Sequence, residues 1–325
     1  MSRRQAGGAN EQGEGESDMD QIKGKRILVT GATGQVAGYL TEQLATRNEV
    51  HAAARFTDAQ AKADLESKGV RTVYFSMGEA DLSGLPDVDY VFHCGCNTSP
   101  KSPEIGMAQN AEGTGFLMQR YRDVQAFFHM SSSSVYRVPA SKPEPTKETD
   151  TLGGFSNYGP HYAMSKLATE AVVRFQARAQ KLPTQIARLD VAYGTRGHGG
   201  VPMVVYEMMK HGMPYTRAES GESYCSPIHE EDIARQAERL ILKAAVPAPI
   251  VNLGGDEAVS VEEMIRYVEG LTGLTMKIDV GPDATFGMKV LDNTLRKQLA
   301  GPCEVSWKDG VRRALATRRP EAIIR

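Results

Sequence analysis

Ile27-Leu28-Val29-Thr30-Gly31-Ala32-Thr33-Gly34-Gln35-Val36-Ala37-Gly38 carries the main indication of architecture in this chain. The apolar run over 27–30 predicts a buried strand, and the glycines after it predict a turn into a helix over 38–46. Gly31 permits a tight turn, and Gly34 lets backbone N–H groups approach a pyrophosphate. Ala37 is small enough for the helix to pack on the sheet. The helix N-terminus then turns its partial positive charge toward phosphates. Gly31, Thr33, Gly34, Gln35 and Val36 are the candidate nucleotide contacts. The spacing is Gly-x-x-Gly-x-x-Ala, which by itself also describes an ordinary strand-to-helix turn, so its meaning depends on the rest of the chain.

From residue 50 onward the pattern alternates between strand and helix. Strands are predicted over 50–54, 72–75, 90–93, 126–130, 185–191 and 249–253, with helices over 59–68 and 201–211. Continuous apolar strands alternating with helices predict a parallel sheet covered on both faces, and right-handed crossovers make it doubly wound. The fold class expected is therefore α/β: a Rossmann-type doubly wound parallel sheet with a smaller C-terminal α/β lobe. Residues 22–194, with the strand near 249–255, are assigned to the nucleotide-binding domain and 195–325 mainly to the substrate lobe. Residues 1–21 are Gly/Glu/Gln-rich with almost no apolar content and read as a disordered tail.

Tyr162 and Lys166 stand at i and i+4 in good helix material, so a helix places both side chains on one face. A free phenol titrates at about 10. An ammonium some 4 Å away, at an effective dielectric near 20, is worth about 4 kcal/mol, or roughly three units. The expectation is that Lys166 lowers the Tyr162 phenol toward neutrality. Ser132, in the run Ser131-Ser132-Ser133-Ser134-Val135-Tyr136, falls where the fifth strand ends. Open α/β sheets bind ligands at that edge, and its hydroxyl can hold a substrate oxygen beside Tyr162.

These motifs, in this order, resemble the extended short-chain dehydrogenase/reductase family, which includes sugar-nucleotide epimerases and dehydratases. The resemblance runs from Lys25 to the C-terminus. It implies that Ser132, Tyr162 and Lys166 are catalytic and that a nicotinamide dinucleotide is the cofactor. Asn110-Ala111-Glu112-Gly113-Thr114 resembles the family's Asn-x-x-Gly-Thr segment behind the active site, and Pro227 to Ala234 its His-x-x-Asp-Ile-Ala segment. His229 and Asp232 lack a third ligand, so Asp232 reads as a first-turn acid and no metal is expected. The second strand ends without the acidic residue that contacts a ribose 2′-hydroxyl. Arg55 stands there instead, suited to a 2′-phosphate, and predicts NADP over NAD. Asp81 is the candidate for the family's acidic residue near the adenine, and Cys94 joins the cofactor set. Ser133, Arg188 and Cys225 form the expected substrate set.

Three departures bear on the substrate. Cys225 stands where sugar-nucleotide epimerases carry a diphosphate-binding Arg. The segment Ala284 to Asp292 lacks the second Arg, which leaves Arg217 and Lys289 as the available cations. Ser133 and Ser134 replace the acidic pair that marks sugar 4,6-dehydratases. The reading is a NAD(P)(H)-dependent oxidoreductase interconverting a secondary alcohol and a carbonyl. The alternatives are a sugar-nucleotide 4-epimerase and a non-catalytic NADP-sensing protein.

Composition sets the outer limits. The 325 residues are 41% hydrophobic and 24% charged, with a net charge of −2. No basic run predicts a nucleic-acid partner and no apolar stretch is long enough to span a bilayer. Cys94, Cys96, Cys225 and Cys303 have neither zinc-site nor redox-pair spacing and read as reduced thiols. The protein is expected in the cytoplasm, acting on a small molecule. Family members commonly dimerise through the helix bearing Tyr-x-x-x-Lys, for which Ala168, Ala171, Val172 and Phe175 are candidate contacts.

Overall fold

The structure is a computed structural model that describes residues 21–137, 144–153 and 159–324. All of the tail expected over 1–21 except Gln21 lies outside the described residues. The first six strands are β1 (Arg26–Thr30), β2 (Glu49–Ala54), β3 (Arg71–Tyr74), β4 (Tyr90–His93), β5 (Ala126–Ser132) and β6 (Thr184–Leu189). With the strand Ile250–Leu253 they form a seven-stranded sheet in the order Ile250–Leu253, β6, β5, β4, β1, β2, β3. Every neighbouring pair is parallel. The chain winds outward from β1 to β3, then crosses back to continue from β4. The order therefore reverses between β1 and β4, and a crevice opens beyond their C-terminal ends.

Alternation along the strands explains why both faces are covered. Ile27, Val29, Phe128 and Met130 face a cluster with Leu40, Leu44, Ile233 and Leu240. Leu28, Val91 and Phe127 face the opposite cluster with Leu117, Met118, Val173 and Ala177. Successive residues of one strand thus serve opposite layers, which is why the strands read as unbroken apolar runs.

A third core gathers Tyr193, Met203, Tyr206, Tyr215, Met264, Val268, Trp307 and Val311. It is framed by short strand pairs, Tyr215–Ala218 with Ile278–Gly281 and Tyr224–Cys225 with Val259–Ser260. The chain after 195 does not all belong to this unit. The helix Glu230–Ile241 buries Ile233, Ala237 and Leu240 against the main sheet, because it is the crossover leading to the last strand.

Element ends differ from expectation by one or two residues. The difference that matters is at β5, which continues to Ser132 and pairs Ser132 with Leu189. The helix Gly113–Arg120 is preceded by a wide π-type turn, Met107–Glu112, which no residue pattern announces. Among the described residues, no helix is long and apolar enough to cross a membrane.

Candidate active site

β5 delivers Ser132 in extended conformation at the sheet's edge, where its Oγ accepts from the Ser134 backbone N–H at 3.1 Å. Across from it runs the helix Pro160–Gln180, opened by Pro160 in its first turn. Its buried face holds Ala163, Ser165, Lys166, Thr169, Glu170, Val173 and Ala177. Lys166, 1% exposed, donates from Nζ to the Met130 carbonyl at 2.7 Å. The half-buried Tyr162 sets its phenol against the Ser132 hydroxyl and the Cys96 thiol. The structure thus brings together the three residues singled out from the sequence and adds Cys96, which had read only as a reduced thiol.

The electrostatics differ from expectation. Burial pushes the Tyr162 phenol up from its ordinary value rather than down, and burial lowers the Lys166 ammonium. The lysine is engaged by a β5 carbonyl, and desolvation of the phenolate outweighs any help from a nearby cation. In this environment the phenol keeps its proton across neutral pH.

Asn110 locks the helix in place. Its Nδ2 donates to Ser165 Oγ and to the Asn97 carbonyl, both at 2.9 Å, and its Oδ1 accepts the Asn97 N–H at 2.7 Å. Ser165 in turn donates to the Tyr162 carbonyl at 2.8 Å. The wide turn at 107–112 widens the helix around Asn110, a distortion often met near functional sites.

The crevice between β1 and β4 fits a dinucleotide. Gly31, at φ +71°, lies against Gly95 so closely that a Cβ there would sit 2.8 Å from the Gly95 Cα. Only glycine suits that turn. Gly34 donates to the Gly31 carbonyl at 2.8 Å, closing the loop into the helix Ala37–Ala45. Thr33 is exposed on the loop, and Val36 packs partly against the main core. Gln35 is committed to the protein, donating to the Ala192 carbonyl at 2.6 Å, so its side chain braces the loop. Arg55 is exposed just past β2. Cys94 follows β4, its thiol pushed up to about 12 by burial and so neutral. Asp81 is exposed, and its carboxylate accepts the Ser83 N–H at 3.0 Å within its own turn.

A buried relay ties the crevice together. Thr114 donates to the Asn110 carbonyl at 2.6 Å, so its oxygen accepts from His93 Nε2 at 2.8 Å. His93 Nδ1 then accepts the Thr30 hydroxyl at 2.7 Å, and Thr30 Oγ1 accepts the Gly95 N–H at 3.0 Å. Burial lowers His93 to about 3 and His129, 5.5 Å away between ring centroids, well below its ordinary value. Both imidazoles are neutral in the folded protein. An unfolded chain binds their protons near 6.5, so stability is fully present above that value and is lost as pH falls below it. Between pH 7 and pH 5 each histidine should remove about 2 kcal/mol. His129→Leu should remove its half of that slope in urea titrations at the two pH values; an unchanged slope would contradict the assignment.

Two members of the expected substrate set are corrected. Arg188 is 2% exposed and paired in fork geometry with Glu170, Nε to Oε1 at 3.0 Å and Nη2 to Oε2 at 2.8 Å. It also donates to the Glu148 carbonyl and lies 4.7 Å over the Tyr136 ring. With its donors engaged inside the core, it is a structural cation. Glu170, which also accepts from Ser131 at 2.6 Å, is a supporting residue that the sequence reading missed; its place at i+4 from Lys166 on the buried face is the signal that could have found it. Cys225 is fully buried in the smaller unit's core, its thiol directed at the Val259 carbonyl at 3.6 Å. Its side chain fills that core because Tyr224–Cys225 pairs with Val259–Ser260. Ser133 lies at the cleft but donates to Asp190 Oδ1 at 2.8 Å. Asp232 accepts the Glu304 and Val305 N–H groups, as a structural acid.

The doubly wound sheet, the glycine crevice and the Ser132–Tyr162–Lys166 group together define an enzyme of the extended short-chain dehydrogenase/reductase class. Residues 27–254 match the NAD dependent epimerase/dehydratase family, and the chain belongs to it. It is 28% identical over 300 residues to a dTDP-4-dehydro-6-deoxy-D-allose reductase of Streptomyces bikiniensis, covering 85% of this chain and 90% of that one. It is 24% identical over 270 residues to the uncharacterized UDP-glucose epimerase YtcB of Bacillus subtilis, covering 76% and 82%. Among solved structures, UDP-glucose 4-epimerase of Thermotoga maritima shares the fold with a TM-score of 0.77 at 21% identity, covering 91% of this chain and 99% of that one.

Proposed function

We propose that the protein is an NADP(H)-preferring reductase that interconverts a ketone and a secondary alcohol, running in the direction of reduction. The observation that carries this is the Tyr162 phenol resting against Ser132 at the edge of β5, with Lys166 one turn along the same helix. A buried phenol that holds its proton is a general acid, and reduction of a carbonyl needs one at the oxygen. When bound, the nicotinamide supplies the hydride. Ser132 holds the substrate oxygen, Tyr162 donates the proton to it, and Lys166, anchored on Met130, keeps that face of the helix fixed. The loop 31–36, Arg55, Cys94 and Lys166 are the residues we assign to the cofactor. Residues 22–194 serve as the nucleotide-binding domain, and most of 195–325 as the substrate lobe.

The reductase from Streptomyces bikiniensis supports reduction over epimerisation, while the relative from Bacillus subtilis supports the epimerase alternative. The buried Cys225 and the sealed Arg188 offer no cation to a diphosphate, which weighs against a nucleotide sugar under either chemistry and does not divide reduction from epimerisation. The test is consumption of NADPH, followed at its absorbance band, with carbonyl compounds and with dTDP- and UDP-4-ketosugars. Interconversion of UDP-sugars without net NADPH consumption would select the epimerase instead. Arg55 supports the cofactor preference: Arg55→Asp should move the NADPH-to-NADH ratio of kcat/KM toward NADH by about tenfold or more, the loss of a charge-assisted contact. An unmoved ratio would leave Arg55 as a surface residue.

A homodimer built on the helices Gly113–Arg120 and Pro160–Gln180 completes the proposal. Ile105, Phe116, Met164 and Phe175 stand 38–66% exposed on or beside these helices. Of the expected contacts, Val172 packs inward against Gly115, whereas Phe175 faces outward. Phe175→Asp should convert a dimer to monomers in sedimentation velocity at micromolar concentration. Four free cysteines and the small-molecule chemistry agree with a cytoplasmic setting.

A further inference from the structure

Lys289 lies in the segment that runs along the seam between the main sheet and the smaller unit. The backbone around it is pinned: Thr146 N–H donates to the Val290 carbonyl at 2.9 Å, Leu291 N–H to Ser226 Oγ at 3.0 Å, and Asp292 N–H to the Thr146 carbonyl at 2.8 Å. The Lys289 side chain is only 7% exposed, yet among the described residues its ammonium has no hydrogen-bond or close ion-pair partner. The opposite charge it senses is Asp190, just past β6. Asp190 accepts the Ser133 hydroxyl on one oxygen at 2.8 Å and the Ser226 N–H on the other at 2.7 Å. Ser133 follows Ser132 directly, so this cluster borders the hydroxyl that faces the Tyr162 phenol.

The stem of Lys289 is buried, but its ammonium is not among the sealed-off unpaired polar atoms, so its donors are open to a guest entering the seam. The neighbouring carboxylate decides what that guest is. A phosphate or carboxylate would answer Lys289 but offers only acceptors and would be repelled by Asp190. A cation would suit Asp190 and be repelled by Lys289. A hydroxyl does both jobs: its lone pair accepts from the ammonium and its proton goes to a remaining lone pair of the carboxylate. The two charges sum to zero, which matches a neutral guest.

We propose that Asp190 and Lys289 form a subsite for a hydroxyl group of the substrate, adjacent to the carbon addressed by Tyr162 and Ser132. The substrate class is then a hydroxy ketone, reduced to a vicinal diol. This deepens the reductase reading and rests on it for the chemistry, though not for the binding.

The experiment uses the full chain with NADPH and ketones in matched pairs: hydroxyacetone with acetone, and 2-hydroxyacetophenone with acetophenone. Turnover and ligand-observed saturation-transfer NMR are recorded on the same samples. Wild type should favour the hydroxylated member by about tenfold or more in kcat/KM, the factor expected for a charge-assisted hydrogen bond. Lys289→Met should reduce that preference to about twofold or less. Lys289→Met leaves Asp190 buried without a counter-charge, so the uncharged double variant Asp190→Asn/Lys289→Met is run beside it and should lose the preference equally. Equal use of both members by wild type, or a preference that survives in both variants, overturns the subsite. If no ketone turns over, the reductase reading fails for this class and the NMR decides the subsite. Selective saturation of the hydroxylated members that disappears in the variants upholds it, and saturation of neither, or of both alike, overturns it.

Discussion

Tyr162→Phe should lower kcat for carbonyl reduction by about 10³-fold, within the range for a single positioned general acid, while dinucleotide affinity changes little. The phenol reaches Ser132 and Cys96 with its hydroxyl alone. Removing that one oxygen therefore deletes the proton donor and leaves the ring's packing. The pH dependence comes from the same burial. The acid form does the work in reduction, and its folded value is raised, so the rate should stay level as pH rises through 10, where an ordinary phenol would already be half ionised. Oxidation of the alcohol needs the phenolate and should climb with pH over the same interval. Stopped-flow measurement of single-turnover hydride transfer checks both. Full turnover by the Phe variant, or a reductive rate already falling by pH 8, would remove Tyr162 from the acid role.

Arg188→Met should cost about 3–5 kcal/mol of stability, because it strands the Glu170 carboxylate in the core. Arg188 and Glu170 are 2% and 4% exposed at the side chain, too dry for water to replace the lost partner. The stranded charge lies one helical turn from Lys166 and accepts from Ser131, so the damage should reach the active-site helix. Urea titration measures the loss. The partnered change Glu170→Gln/Arg188→Met should recover most of it, since replacing a buried pair by uncharged groups of similar volume is often near neutral. If Arg188→Met is as stable as wild type, the ion pair is not a structural element.

The fate of Arg188 also marks where reading the chain residue by residue ends. The strands, the glycine loop and the pairing of Tyr162 with Lys166 were legible because each depends on neighbours a few residues away. A run of apolar residues buries itself, a glycine relieves its own turn, and i to i+4 is one helical turn. The doubly wound arrangement followed from the handedness of the crossovers, whereas the order of the strands was seen only in the structure. Asn110 was legible as a supporting segment, though the wide turn that aims it was not.

The order of residues was enough to say which groups are present, in what succession, and on which faces of their own elements. It took the packed molecule to show which charges and thiols reach the cleft and which are spent inside. Arg188 looked like a free cation until Glu170, on the neighbouring helix, took its fork of donors. Cys225 looked like a replacement in a binding position until its pairing with the strand at Val259 turned it into the core. Lys166 looked set to lower the Tyr162 phenol until Met130 engaged the ammonium and burial took over. Lys289 was one of two available cations until the fold buried its stem along the seam, within the electrostatic reach of Asp190. All four share one cause. Propensity and periodicity are short-range and are written in adjacent residues. Desolvation and Coulomb forces depend on what lies within a few ångströms in space, and distant parts of the chain supply those neighbours.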